Sequence, residues 1–206
     1  MRVLILGDSN LFYLDDSAPA FPWNWIRSPE RNTAEYIDDI LAAQCLFFPL
    51  YRMYMSSDNH CRLSSIFKAL PDEEPVALVL WIGQNDAWDF ATRFDVSQIS
   101  DYRTPTLLSY VQYLASTLLS MRKFDSVFIL GYHNHPAMSD NQLYLEYSTL
   151  ILNELLLAFP DSFLVPMPST CMEMYVDQSH LSESARQEIA AHIASLLCYF
   201  SPSLSE

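Results

Sequence analysis

The sequence predicts an α/β protein, a three-layer α/β/α sandwich built on a mostly parallel central sheet. Short continuous apolar runs, the form taken by strands buried on both faces, alternate along the chain with segments whose apolar residues recur every three to four positions. Three of the runs end in a glycine, at Gly7, Gly83 and Gly131, and these are the only glycines in 206 residues. Average usage would supply about fourteen. The length suits one domain spanning residues 1–206, and no repeat, low-complexity tract or linker divides it.

The elements follow in order. Val3-Leu4-Ile5-Leu6 is a central strand running into Gly7. After the aromatic loop Phe21-Pro22-Trp23-Asn24-Trp25, Thr33 is placed to cap a helix over Ala34 to Gln44, with Tyr36, Ile37, Ile40 and Leu41 at helical spacing. Cys45 to Met55 reads as a second strand despite Pro49, because Ser56-Ser57-Asp58-Asn59 behind it is turn chemistry, and a short helix follows over Cys61 to Leu70. Val76 to Ile82, closed by Gly83, is the strongest strand pattern. Asp86 to Arg103 reads as a long irregular connection, the form taken by lids and specificity loops. Then come a helix over Thr106 to Met121, a strand over Ser126 to Gly131, a helix over Gln142 to Phe159 and a strand at Phe163-Leu164-Val165. Ser182 caps a last helix from Glu183 to Tyr199.

Composition narrows the function. Twenty-five acidic residues against 11 basic give a net charge of −14, which opposes binding to nucleic acid or to an anionic membrane. Three glycines cannot build G-x-G-x-x-G or G-x-x-x-x-G-K-[ST] phosphate loops. Cys45, Cys61, Cys171 and Cys198 form no C-x-x-C pair and have no histidine at ligand spacing, so they read as buried free thiols, and no metal or other cofactor is expected. The apolar runs around Leu150 to Ala158 are interrupted by Asn153 and Glu154 and fall short of the ~20 residues of a membrane span. Without an export signal, a cytoplasmic location is the expectation.

In an open α/β sheet, ligands bind beyond the carboxyl ends of the strands. The loops opening at Asp8, Gln84 and Tyr132 should therefore meet on one rim. Gly7-Asp8-Ser9-Asn10 places a serine where a strand breaks, which suits a nucleophile as well as it suits a turn. Gly83-Gln84-Asn85-Asp86 places a side-chain amide where it can donate to an oxyanion, or close a turn. Asp177-Gln178-Ser179-His180 offers a general base with a carboxylate one turn away to hold its tautomer. Each motif alone suits an ordinary loop; their joint placement on three rim loops is what points to chemistry.

With that order and spacing, the sequence resembles the SGNH hydrolases, the GDSL-type esterase and lipase superfamily, almost from end to end. The resemblance implies an SGNH (flavodoxin-like) sandwich and a serine esterase: Ser9 as nucleophile, His180 as base, Asp177 as its orienting carboxylate, and Asn85 with the backbone N–H groups of Ser9 and Ser57 as oxyanion hole. Ser57 stands where the family has a glycine. A backbone N–H survives that exchange, while a glycine-specific φ does not. The α/β-hydrolases share the order Ser, Asp, His but set the serine in G-x-S-x-G, which Ser9 lacks.

Asp8, Asn10, Trp88 and His133 are the expected substrate contacts, with Trp88 beside an apolar pocket and His133 in Tyr132-His133-Asn134-His135-Pro136 facing the same rim. His192, inside the last helix, has no partner legible in the sequence. The expected substrate is a small ester or an acylated carbohydrate. The alternatives are an O-acyltransferase using the same triad and a catalytically silent binding domain of this fold.

Overall fold

The computed structural model describes residues 2–8, 33–41, 44–50, 53, 64, 68, 76–92, 100–132, 138, 140–168 and 181–201. In chain order the elements are β1 (Arg2–Gly7), α1 (Thr33–Ile40), β2 (Gln44–Pro49), β3 (Val76–Trp81), α2 (Gln84–Thr92), α3 (Ser100–Met121), β4 (Ser126–Leu130), α4 (Gln142–Ala158), β5 (Phe163–Val165) and α5 (Glu183–Phe200). All pairings are parallel, in the order β2-β1-β3-β4-β5.

Strand alternation divides the core in two. Leu4, Leu6, Leu78, Leu80 and Ile129 meet the buried faces of α2, α3 and α4. Val3, Ile5, Ala77, Val79, Phe128, Leu130 and Val165 meet α1 and α5 on the other side. Every residue of β3 is buried, as a strand covered by helices on both faces requires. Burying each of its large apolar side chains contributes about 1.5–3 kcal/mol, so β3 is the strand on which the sheet depends most.

The direction of winding places the crevice. The chain goes outward from β1 to β2, then returns to the other side of β1 for β3 and continues outward. The order therefore reverses between β1 and β3, and ligands of open α/β sheets bind beyond the carboxyl ends at such a reversal.

Several boundaries differ from the sequence reading. Thr33 is the first helical residue and is buried, not a cap, and α1 stops at Ile40 rather than Gln44; Ile40 itself is half exposed. Expected to reach Met55, β2 ends at Pro49, which is paired with the last residue of β1; the next amide, Leu50 N–H, crosses to the Gly7 carbonyl at 2.8 Å. That is the last bond to β1, which finishes at Gly7; the Pro49 nitrogen faces the other side of β2, where it offers no N–H. The irregular connection expected over Asp86 to Arg103 is instead helical over most of its length: α2 covers Gln84–Thr92, and α3 begins at Ser100 and runs through Pro105. Apolar residues hold α2 in place, with Phe90 meeting Tyr110 and Tyr147 edge to face at 6.4 and 6.1 Å. Of the helix expected over Cys61 to Leu70, only Ser64 and Lys68 are described, and both are helical.

Cys45 and Cys198 are free and half-buried. Burial, with the neighbouring Asp38 carboxylate, pushes the Cys45 thiol far above its ordinary range, which makes it inert as a nucleophile.

Candidate functional site

At the reversal point the chain leaving β1 is held from both sides. Gly7 gives its carbonyl to Leu50, and the Asp8 N–H donates to the Trp81 carbonyl at 3.3 Å. Asp8, the residue before Ser9, is 1% exposed. Its carboxylate therefore lies beneath the rim, within the packed end of the sheet.

Beside it, β3 gives way to α2 through Gly83. The Gly83 φ is +104°, and a Cβ there would meet the Ile151 methyl at 2.6 Å and the Tyr132 hydroxyl at 2.7 Å. Only glycine satisfies both conditions. The Ala87 N–H bonds to the Gly83 carbonyl at 2.9 Å, so the helix starts at once. Gln84, Asn85 and Asp86 are its first three residues, at the positive end of the helix dipole. Asn85 is half-buried in this first turn.

Asp86 is fully buried and ties the turn to the segment that follows β2: the Met53 N–H donates to both of its carboxylate oxygens, at 3.0 and 3.1 Å. Behind it, the Tyr132 hydroxyl donates to the Ile82 carbonyl at 2.8 Å, and Gln84 Nε2 donates to the Tyr144 hydroxyl at 3.1 Å. Burial, with the nearby Asp86, Tyr144 and Asp8, raises the Tyr132 pKa well above the ordinary phenol value. Tyr132 therefore stays a neutral donor. Its position after Gly131 at a strand end was a sequence signal for rim placement; the part played by Tyr144, one aromatic on an amphipathic helix, had none.

On the α1 side of the sheet lies the start of α5. Ser182 caps it as expected, its Oγ accepting the Ala185 N–H at 3.3 Å. Leu181 before it is 2% exposed and packs in the core of the α1/α5 face. His192 does have a partner: its Nε2 lies 2.6 Å from the Pro166 carbonyl. A carbonyl only accepts, so Nε2 carries the proton. That bond fastens α5 to the chain leaving β5.

Of the expected site residues, Asp8, Asn85 and Trp88 are described, and Trp88 is half-buried against the core under α2, α3 and α4. Ser9, Asn10, Ser57, His133, Asp177 and His180 lie outside the described residues. Among the described residues no group of His, Cys, Asp and Glu could hold a metal ion, and no helix is long and apolar enough to cross a membrane. At the reversal point the described residues place a fixed backbone turn, a helix N-terminus and a half-buried amide, the kinds of group that can stabilise negative charge on an oxygen.

No family model matches the chain, and no curated protein matches it by sequence. Solved structures do. It is similar to LAE5, an alpha/beta hydrolase enzyme from the metagenome of Lake Arreo in Spain, at a TM-score of 0.62 and 14% identity, over 94% of this chain and 93% of that one. A member of the lipolytic protein G-D-S-L family from Veillonella parvula matches at 0.60 and 14% identity, over 95% and 97%. A mutant of an acetyl-xylooligosaccharide esterase from Geobacillus matches at 0.57 and 12%, over 94% and 92%. The fold is thus the one shared by GDSL-type esterases.

Proposed function

We propose that the protein is a serine esterase of the GDSL type. Ser9 attacks the ester carbonyl, His180 takes the serine proton and later gives it to the departing alcohol, and Asp177 holds the imidazole in the productive tautomer. The Asn85 amide and the backbone N–H groups of Ser9 and Ser57 hold the oxyanion, and water releases the acyl group. One observation carries the reading: the chain reverses between β1 and β3, and the motifs containing Ser9 and Asn85 are the two that leave those strands. Likeness of fold to an acetyl-xylooligosaccharide esterase favours an acylated carbohydrate as substrate. Asp8, Asn10, Trp88 and His133 are assigned to its surroundings, Asp8 acting from beneath the rim.

The test is hydrolysis of an aryl acetate by wild type, S9A and N85A. S9A should lose on the order of 10⁴-fold or more in kcat while keeping its thermal midpoint, and a fluorophosphonate should label wild type at Ser9 only. N85A should lose about 10²–10³-fold, as removal of one oxyanion donor does. Undiminished turnover by S9A would refute the assignment.

A further inference from the structure

We propose that the amino end of the sheet carries a second ligand site, a cleft that takes a carboxylate with a medium-length apolar tail. The cleft holds about 330 Å³ and lies where the carboxyl-terminal ends of α3 and α4 meet the starts of β4 and β5. Clefts for small ligands begin at about 300 Å³. Phe124 and Phe159, both buried, continue the core into its walls; Ala158 lies beside them, and Leu119, half exposed, lines it as well. Arg122 and Lys123 complete the lining. They are the only two basic residues adjacent in a sequence that carries 11 against 25 acidic ones. The crevice opens at the other end of the strands, and the five residues of β4 span about 16 Å. A ligand in the cleft is thus out of reach of the loops that leave β1 and β3, and the site stands apart from the esterase assignment.

Three features select the ligand. The apolar walls give a hydrocarbon tail the burial it lacks in water. The charges admit one negative group and oppose more. Two helices end here, and helix carboxyl ends carry partial negative charge; Asp161 lines the same cleft, while Asp125 is committed to the Val76 N–H. Arg122 and Lys123 offset that field, and against Asp161 they leave a surplus of a single positive charge. That suits a carboxylate and not a phosphate or nucleotide, whose two or more charges would go unmatched. The third feature is Ser162. Its N–H bonds to the Phe159 carbonyl at 3.0 Å, which fixes its backbone, but its Oγ is shut off from solvent and has no hydrogen-bond partner. A hydroxyl in that state is costly and rare in native proteins. In the proposed complex a turn about χ1 between staggered positions gives it a carboxylate oxygen to donate to.

The experiment titrates octanoate into wild type, K123E, S162A and A158W by calorimetry, with octanamide as the neutral control. Wild type should bind octanoate with Kd on the order of 0.1–1 mM, as ordinary efficiency for a ligand of that size gives, and octanamide about tenfold more weakly. K123E should weaken octanoate about tenfold and leave octanamide unchanged. S162A should weaken it about fivefold, and A158W, which fills the cleft, should weaken both ligands at least about tenfold. Hydrogen exchange with octanoate present should slow in peptides covering residues 119–127 and 157–163. No binding up to about 10 mM, binding unchanged in K123E and A158W, or slowing confined to residues 2–8 and 84–92 would overturn the proposal. Octanamide binding as tightly as octanoate would overturn the choice of a carboxylate. If A158W does not fold, K123E, a change at an exposed residue, decides together with the exchange pattern. None of these readouts uses ester hydrolysis, so the result holds whether or not S9A abolishes turnover.

Discussion

Two aspartates hold backbone amides at opposite ends of the sheet. At the amino edge, Asp125 accepts the Val76 N–H at 2.8 Å through its carboxylate and returns its own N–H to the Val76 carbonyl at 3.0 Å. At the carboxyl edge, Asp86 accepts the Met53 N–H with both oxygens. Asp125 is exposed, whereas Asp86 is fully buried. Val76 itself is buried, but trimming the exposed Asp125 side chain opens its N–H to water, so the net loss at the first contact is small. No water reaches the second, and its loss leaves a buried donor unmet. The two ends therefore differ: at the amino edge one partner of the bond lies at the surface, and at the carboxyl edge both are buried.

Substitutions at the two ends should separate by size. The largest effect belongs to G83A, which combines a strained φ with overpacking against Ile151 and Tyr132. A loss of about 3 kcal/mol should lower the thermal midpoint by roughly 10 °C, and a midpoint within about 2 °C of wild type would break the account of that turn. D86A should cost about 2 kcal/mol, and it should also slow ester hydrolysis, because the segment that leads to Ser57 is released. D86N, keeping one acceptor, should recover part of both.

Y132F should cost about 1 kcal/mol at neutral pH. Its folded-state pKa is raised above the ordinary phenol value, so the folded protein holds the phenol proton after an unfolded chain, with a pKa near about 10, has lost it. That stabilisation is complete below pH ~10 and is lost as pH rises further toward the folded-state value. Melting curves of wild type and Y132F should therefore converge above pH ~10; parallel curves would contradict the assignment of Tyr132 as a buried neutral donor. D125A should be the mildest, below about 1 kcal/mol, with hydrolysis unchanged.

The contrast also explains what could be read in advance. β1, β3 and β4 were legible because a strand covered on both faces needs an unbroken apolar run, and β5, at the border of the sheet with Leu164 exposed, was legible from a run that matched residue for residue, Phe163–Val165. α5 was legible from its Ser182 cap. α2 was not: Gln84-Asn85-Asp86 is turn chemistry by residue type, and the same types fill the first turn of a helix. What decides between them is remote, since Asp86 meets Met53 across 33 residues, Tyr132 meets Ile82 across 50 and Gln84 meets Tyr144 across 60. No local pattern encodes such pairs. The strand-end motifs were visible because they set unusual residue types together in the sequence, while the groups that hold the described ones are ordinary residues brought together only by folding.

Pro49 has an effect beyond ending its strand. β2 and β5 are the two outer strands of the sheet, and an outer strand is a template on which another chain can add by backbone pairing. β2 finishes in a residue with no N–H to offer, and β5 is three residues long, too short for more than a few bonds. Among the described residues, neither border invites a further strand. When copies of this protein meet at high concentration, the missing donor at Pro49 and the three-residue length of β5 both work against extending the sheet from these described borders.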